Sequence, residues 1–309
     1  VRVNSLAGSD GLEWLNWHRD RKSRTALRQV DHSGTDASDM EILHAIILGI
    51  VQGIGEFLPI SSSGHLVIAD ALLDQSAGAG GNENASKLLM NVVLHVGTLF
   101  SILIVYRKEL WKLRLQPKVC LLIILASVPA GLLGVLAKTQ LEKVFETPLV
   151  VGVALFATAA FLVGGQKLER NELDYDQLSF SKALVIGLFQ AIALIPGISR
   201  SGSTISGGLL LGLKRDAAAA FSFLMAVPVI GGAALLEAKD VFTGDLVVGA
   251  PLPLIVGGLT AFLVGLFTLR WLVSLIAKGR LYWFAYYCVG VGTATICWQL
   301  IESVTSIPQ

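Results

Sequence analysis

A chain of 309 residues that is 53% hydrophobic and only 15% charged, with a mean hydropathy of +0.67, lies far from the balance of a water-soluble domain. Its net charge of +1 says nothing about partners, because a chain of this composition sorts its charges by membrane side. The composition points to an all-α polytopic membrane protein surrounded by lipid, with no nucleic-acid partner expected.

Residues 1–39 differ in kind from the rest: they are polar, carry the cluster HRDRKSR at 18–24, and show no apolar period that could build a core. This segment is expected to be a disordered tail or a misassigned start, ahead of a single integral membrane domain over 40–309. A short apolar segment at 42–58 comes first, then a polar break, then a second short apolar segment at 66–73. Runs long enough to cross the hydrocarbon layer, which takes about 20 helical residues, follow at 88–106, 119–137 and 149–165. The order then recurs, with short segments at 183–195 and 204–213 around a second polar break and long runs at 217–237, 252–272 and 282–301. Six transmembrane helices are predicted. Cys120, Cys288 and Cys297 lie in or at the ends of apolar runs without metal-ligand spacing, and read as small hydrophobes.

The recurrence is a duplication. Sliding the sequence by 138 positions lays GIVQGIGEFLPISSSGHL (49–66) over GLFQAIALIPGISRSGST (187–204) without a gap, and seven of the eighteen positions are identical. Repeat one is placed at 40–166 and repeat two at 182–301. In each copy neither apolar segment beside the break is a comfortable span, and irregular backbone at membrane depth is tolerated only where it is buried in protein or lines a wet cavity. Two re-entrant helical hairpins are predicted. Each is followed by three spans, so the second copy enters from the opposite face, giving an inverted-topology repeat whose two broken tips meet near the midplane.

Arg107, Lys108, Lys112, Arg114 and Lys118 crowd one loop, and Lys167, Arg170, Lys214, Arg215, Lys278 and Arg280 crowd its alternates. These are the predicted cytoplasmic loops, which places the entrance of the first hairpin outside.

The tips hold the polar groups. Gln52, Glu56, Ser61, Ser62, Ser63 and His65 come from the first copy, and Gln190, Ser199, Arg200, Ser201, Ser203 and Thr204 from the second. Gln52 and Glu56 are four apart and share a helix face. PGISRSGS (196–203) offers an arginine fork, hydroxyls and glycine-freed N–H groups at the start of a helix expected near Ser203, an anion cradle without the Walker pattern. Beside it stand a nucleophile (a serine hydroxyl or His65), an acid/base group (His65 or Glu56) and a carboxylate, Glu56, able to hold a divalent ion against phosphate charge. The residues alone do not choose among the serines. His95, in mid-span, is expected to be a satisfied packing residue.

QGIGEFLPISSSGH (52–65) and PGISRSGST (196–204) closely resemble the two signature motifs of the bacterial undecaprenyl-diphosphatase family, also called the bacitracin-resistance proteins, and the likeness runs from residue 40 to about 301. The resemblance implies an integral phosphatase of the bacterial inner membrane that hydrolyses undecaprenyl diphosphate to the monophosphate and inorganic phosphate. Such an enzyme recycles the lipid carrier for peptidoglycan synthesis and confers bacitracin resistance. By the topology above, its site faces the periplasmic side. Carried over by position, the resemblance makes Glu56, Ser62, His65 and Arg200 the central catalytic residues. It makes Gln52, Ser61, Ser63, Ser199, Ser201 and Thr204 substrate-binding residues. Many members carry Glu where this chain has Gln52, whose neutral amide is left a positioning role. The family's divalent cation, Mg²⁺ or Ca²⁺, would then rest on Glu56 alone, and a homodimer stands among the expected partners. The rival reading is a lipid-phosphate flippase or small-anion transporter built on the same inverted repeat, which would need an anion site but neither nucleophile nor proton carrier.

Overall fold

A backbone in hydrocarbon must satisfy its own N–H and C=O groups, and a chain this apolar accordingly folds as helices. The computed structural model describes residues 41–77, 83–145, 147–242 and 251–305; the tail expected over 1–39 lies outside the described residues. The chain divides into Val1–His44, of which only residues 41–44 at the start of the first helix are described, and Ala45–Gln309, which holds the remaining elements.

In chain order these are α1 (Glu41–Gly55), α2 (Ser62–Ala77), α3 (Glu83–Val105), α4 (Arg107–Leu113), α5 (Pro117–Phe145) and α6 (Pro148–Lys167). The second copy supplies α7 (Phe180–Ile192), α8 (Arg200–Leu210), α9 (Arg215–Phe242), α10 (Pro251–Ala277) and α11 (Tyr282–Thr305). The described residues contain no strand, only one isolated parallel bridge between Leu173 and Leu213. Five helices, α5, α6, α9, α10 and α11, are long and apolar enough to cross a membrane. A sixth is reached if α3 and α4, bent by 77° at Tyr106, count as one span. The outer faces fit a lipid solvent: Leu136 and Phe267, 80% and 74% exposed, would be costly in water.

Packing follows the duplication. α6 lies against α11, its counterpart in the second copy, and α3 against α9. Small residues let the axes approach: a Cβ on Gly292 would meet the Gly152 carbonyl at 2.8 Å, and one on Gly53 would meet the Ala261 carbonyl of α10 at 2.9 Å. Both short pairs, α1–α2 and α7–α8, are helix–break–helix units. In the second, Lys182 at the start of α7 donates to the carbonyl of Leu211 just past the end of α8, at 2.8 Å, so the chain returns to the end where it set out. The basic loops gather there too: Lys118 donates to the Asp176 carbonyl at 2.7 Å, Lys214 pairs with Asp174 at 2.8 Å, and Arg215 pairs with Glu169.

α8 starts earlier than the hydroxyl pattern suggested. Ser199, not a residue near 203, is its N-cap, with its Oγ accepting the Gly202 N–H at 3.0 Å. The three residues that follow the cap are therefore helical, and Arg200 stands at the helix's first position.

Candidate active site

The two tips meet. Ser61 Oγ accepts N–H groups from its own helix start, Gly64 at 3.3 Å, and from the opposite tip, Gly197 at 3.1 Å. Ser201 Oγ donates across to the Leu58 carbonyl at 3.3 Å. Gly197 has φ +96°, and a Cβ there would lie 2.6 Å from the Val151 carbonyl of α6, so only glycine lets the second tip lie this close against α6. Ser61 itself has φ +70°, a left-handed conformation that costs a non-glycine residue free energy and is held by those two bonds.

At the junction lies a cavity of about 340 Å³. Glu56 reaches it from the end of α1, Ser62 from the first position of α2, and Arg200 from the first position of α8. Arg200 Nη2 donates to Glu56 Oε1 at 2.6 Å. Ser62 Oγ donates to Glu56 Oε2 at 2.8 Å, and Gln52 Nε2 donates to the same oxygen at 3.0 Å. A buried carboxylate so surrounded is fixed in position, and its charge is balanced by the guanidinium. Arg200 Nη1 is buried and has no partner, which leaves the fork one N–H pair short of saturation. Two helix N-termini, of α2 and α8, open onto the same space and favour an anion there.

The cavity is lined by matched positions of the two copies, with opposite chemistry. Glu56 corresponds to Leu194 and Ser62 to Arg200 under the 138-residue offset. Helices α3 and α9 align at an offset of 135, with Leu89, Met90, Val92 and Gly97 matching Leu224, Met225, Val227 and Gly232. That alignment pairs Asn91 with Ala226 and His95 with Ile230, and all four line the cavity.

The predicted site residues therefore divide. Glu56, Ser61, Ser62, Ser63, Ser199 and Arg200 line the cavity. Gln52, expected among the substrate-binding residues, is not brought to the cavity: it is fully buried and donates to Glu56. Ser201 and Thr204 are not brought to the cavity: Thr204 Oγ1 donates to the Arg200 carbonyl at 2.7 Å, and Ser201 is spent on the opposite tip. His65 turns the other way. Its Nδ1 donates to the Ser61 carbonyl at 2.8 Å, and its Nε2 lies 2.9 Å from the hydroxyl of Tyr287 on α11, with the two rings stacked. His95, expected to be a packing residue, instead faces the site, with Nε2 3.6 Å from Glu56 Oε2. An ionisable group in mid-span was the signal that could have found it.

The donor set does not fit a resident cation. Among the described residues no group of three His, Cys, Asp or Glu side chains could hold one. Glu56, the expected ligand, spends one oxygen on Arg200 and the other on Ser62 and Gln52.

Fold and site together define a polytopic helical membrane protein with a cavity walled by a carboxylate–serine pair and an arginine. The family model described as bacitracin resistance protein BacA matches residues 45–294, and the chain belongs to that family. It is 40% identical over 265 residues to an undecaprenyl-diphosphatase of Rhodopirellula baltica, covering 84% of this chain and 99% of the relative. A protein of the same name from Bacteroides thetaiotaomicron is 41% identical over 273 residues, covering 84% and 100% of the two chains. One from Methanosphaera stadtmanae is 36% identical over 287 residues, covering 85% and 99%.

Proposed function

We propose that the protein hydrolyses undecaprenyl diphosphate to undecaprenyl phosphate and inorganic phosphate, which returns the lipid carrier to peptidoglycan synthesis and underlies bacitracin resistance. The observation that carries this reading is the hydrogen bond from Ser62 Oγ to Glu56 Oε2 beside an arginine with an unpaired Nη1. It couples a nucleophile to a base at the place where an anion is held. Family membership and the shared name of the relatives support the same reaction.

In this reading Arg200 Nη1 takes an oxygen of the terminal phosphate. Ser62 Oγ attacks its phosphorus while Glu56 accepts the hydroxyl proton. The bond from phosphorus to the bridging oxygen breaks, and the lipid monophosphate leaves with the proton from Glu56. Water then attacks the phosphoseryl group, with Glu56 taking its proton and returning one to Ser62 Oγ, so inorganic phosphate leaves and the site is restored. His65 acts through Ser61: it holds the carbonyl of the strained turn that presents Ser62, and Tyr287 fixes the ring. The divalent cation is proposed to enter as the counter-ion of the diphosphate, as part of the substrate.

The finer topology belongs to the same reading. Six spans and two re-entrant hairpins in an inverted repeat are supported by the return of α7–α8 to one end and by the matched lining of the cavity. The gathering of Lys118, Lys214 and Arg215 at one end supports a cytoplasmic face there, which sets the site toward the outside of a bacterial plasma membrane. No observation favours the transporter: an anion carrier has no use for a serine bonded to a carboxylate. Purified protein in vesicles loaded with a long-chain isoprenyl diphosphate is expected to release inorganic phosphate without net lipid translocation. Translocation without phosphate release would overturn the reading.

A further inference from the structure

The two tips supply Glu56, Ser62 and Arg200, and one polar wall of the cavity stands apart from them. That wall belongs to α3. Asn91 and His95 are four residues apart, so they share one face of the helix and both line the cavity. His95 is held by its Nδ1, which donates to the Asn91 carbonyl at 2.7 Å, and its remaining nitrogen, Nε2, lies 3.6 Å from Glu56 Oε2. The distance is too long for a hydrogen bond, so Nε2 is left for another partner. The side-chain amide of Asn91 is exposed and makes no hydrogen bond among the described residues. Both groups lie open to the cavity, where a polar ligand can meet them.

The duplication sharpens the point. At the matched positions of α9 stand Ala226 and Ile230, in the same cavity, so packing alone accepts small or apolar side chains at these two places. The first copy departs from that solution only on the wall adjoining Glu56. Among the described residues, the only charged or titratable groups lining the cavity with His95 are Glu56 and Arg200, and the α9 wall is apolar.

We infer that Asn91 and His95 are substrate-contacting residues: the Asn91 amide and, in its imidazolium form, His95 Nε2–H donate to the phosphate oxygens of the lipid diphosphate that Arg200 does not hold. The headgroup then lies against α3, and the first isoprene units lie against the apolar wall of α9. This inference rests on the proposed hydrolase reading and deepens it, by naming the residues that grip the headgroup.

The test is steady-state phosphate release from a long-chain isoprenyl diphosphate by purified wild type, Asn91→Leu, His95→Leu and His95→Gln, with thermal unfolding measured on each. A hydrogen bond to a charged group is worth enough that Asn91→Leu and His95→Leu should each raise KM about ten-fold, with kcat lowered less than about threefold. His95→Gln keeps a polar group at similar reach and is expected to stay within about threefold of wild-type KM. The inference is overturned if both leucine variants keep KM within about twofold of wild type. It is overturned equally if His95→Gln loses as much as His95→Leu with a matching fall in unfolding temperature, which marks a structural role. Should His95→Leu fail to fold, Asn91→Leu decides by the same KM criterion. A wild type that releases no phosphate contradicts the hydrolase reading instead, so the two failures are distinguishable.

Discussion

Arg200 Nη2 and Glu56 Oε1 lie 2.6 Å apart although 144 residues separate them, and the bond joins the second copy of the duplication to the first. Their side chains are 16% and 6% exposed, so removing either partner leaves the other charge buried and uncompensated. Arg200→Ala and Glu56→Gln are each expected to lower phosphate release by about 10²-fold or more. The double variant should be hardly worse than the worse single one, because the pair acts as a unit. Additive losses measured in the same assay would mean that the two residues work independently.

Ser61 is the hinge of the first tip, and the cost of its left-handed backbone is offset by bonds from Gly64 and Gly197. Ser61→Ala leaves two buried N–H groups without an acceptor and is expected to destabilise the protein by about 2 kcal/mol or more. Ser127→Ala, which loses only a bond to the Ile123 carbonyl within its own helix, should shift stability by less than about 0.5 kcal/mol. Unfolding in detergent measures both. His65 holds the Ser61 carbonyl directly and Tyr287 only holds His65, so His65→Ala should slow turnover far more than Tyr287→Phe.

Much of this arrangement is legible in the sequence, and the reason is physical. Broken helices need polar and glycine-rich tips, so the duplication survives most visibly there, and the facing of Glu56 and Arg200 follows from two tips that must bury each other's backbone. Direction within a helix face is not legible in the same way. His95 sits in a regular apolar run, where hydropathy reports burial in the bilayer but not which neighbour the side chain meets. His65 turns from the cavity because of Tyr287, 222 residues away, a partner no local pattern announces. Ser201 and Thr204 look like part of an anion cradle in the sequence, yet the helix beginning at Arg200 gives Thr204 its own Arg200 carbonyl as acceptor, and Ser201 reaches across to the Leu58 carbonyl of the opposite tip.

Two glycines separate packing from function. A Cβ on Gly97 would collide with the carbonyl of Gly258, so Gly97→Ala must push α3 off α10 at a cost of about 1–3 kcal/mol. Because α3 carries Asn91 and His95, activity should fall with it. Gly231, in α9, has nothing within 4 Å of its would-be Cβ, and Gly231→Ala should stabilise the helix by about 0.5–1 kcal/mol. Thermal unfolding of the two variants against wild type checks both signs.

The saturated carboxylate makes a prediction about metal. With Glu56 committed to Arg200, Ser62 and Gln52, protein freed of substrate is expected to retain less than one divalent ion per chain after gel filtration. Stoichiometric Mg²⁺ or Ca²⁺ that survives gel filtration and disappears in Glu56→Gln would show that the carboxylate is a ligand after all.

In the proposed reaction Ser62, activated by Glu56, attacks a diphosphate held at the junction of the two tips. Phosphate release from a long-chain isoprenyl diphosphate by purified wild type and Ser62→Ala tests it most directly. Wild type is expected to turn over, and the variant to lose about 10³-fold or more in kcat while remaining folded. A folded Ser62→Ala protein that releases phosphate at the wild-type rate would contradict it.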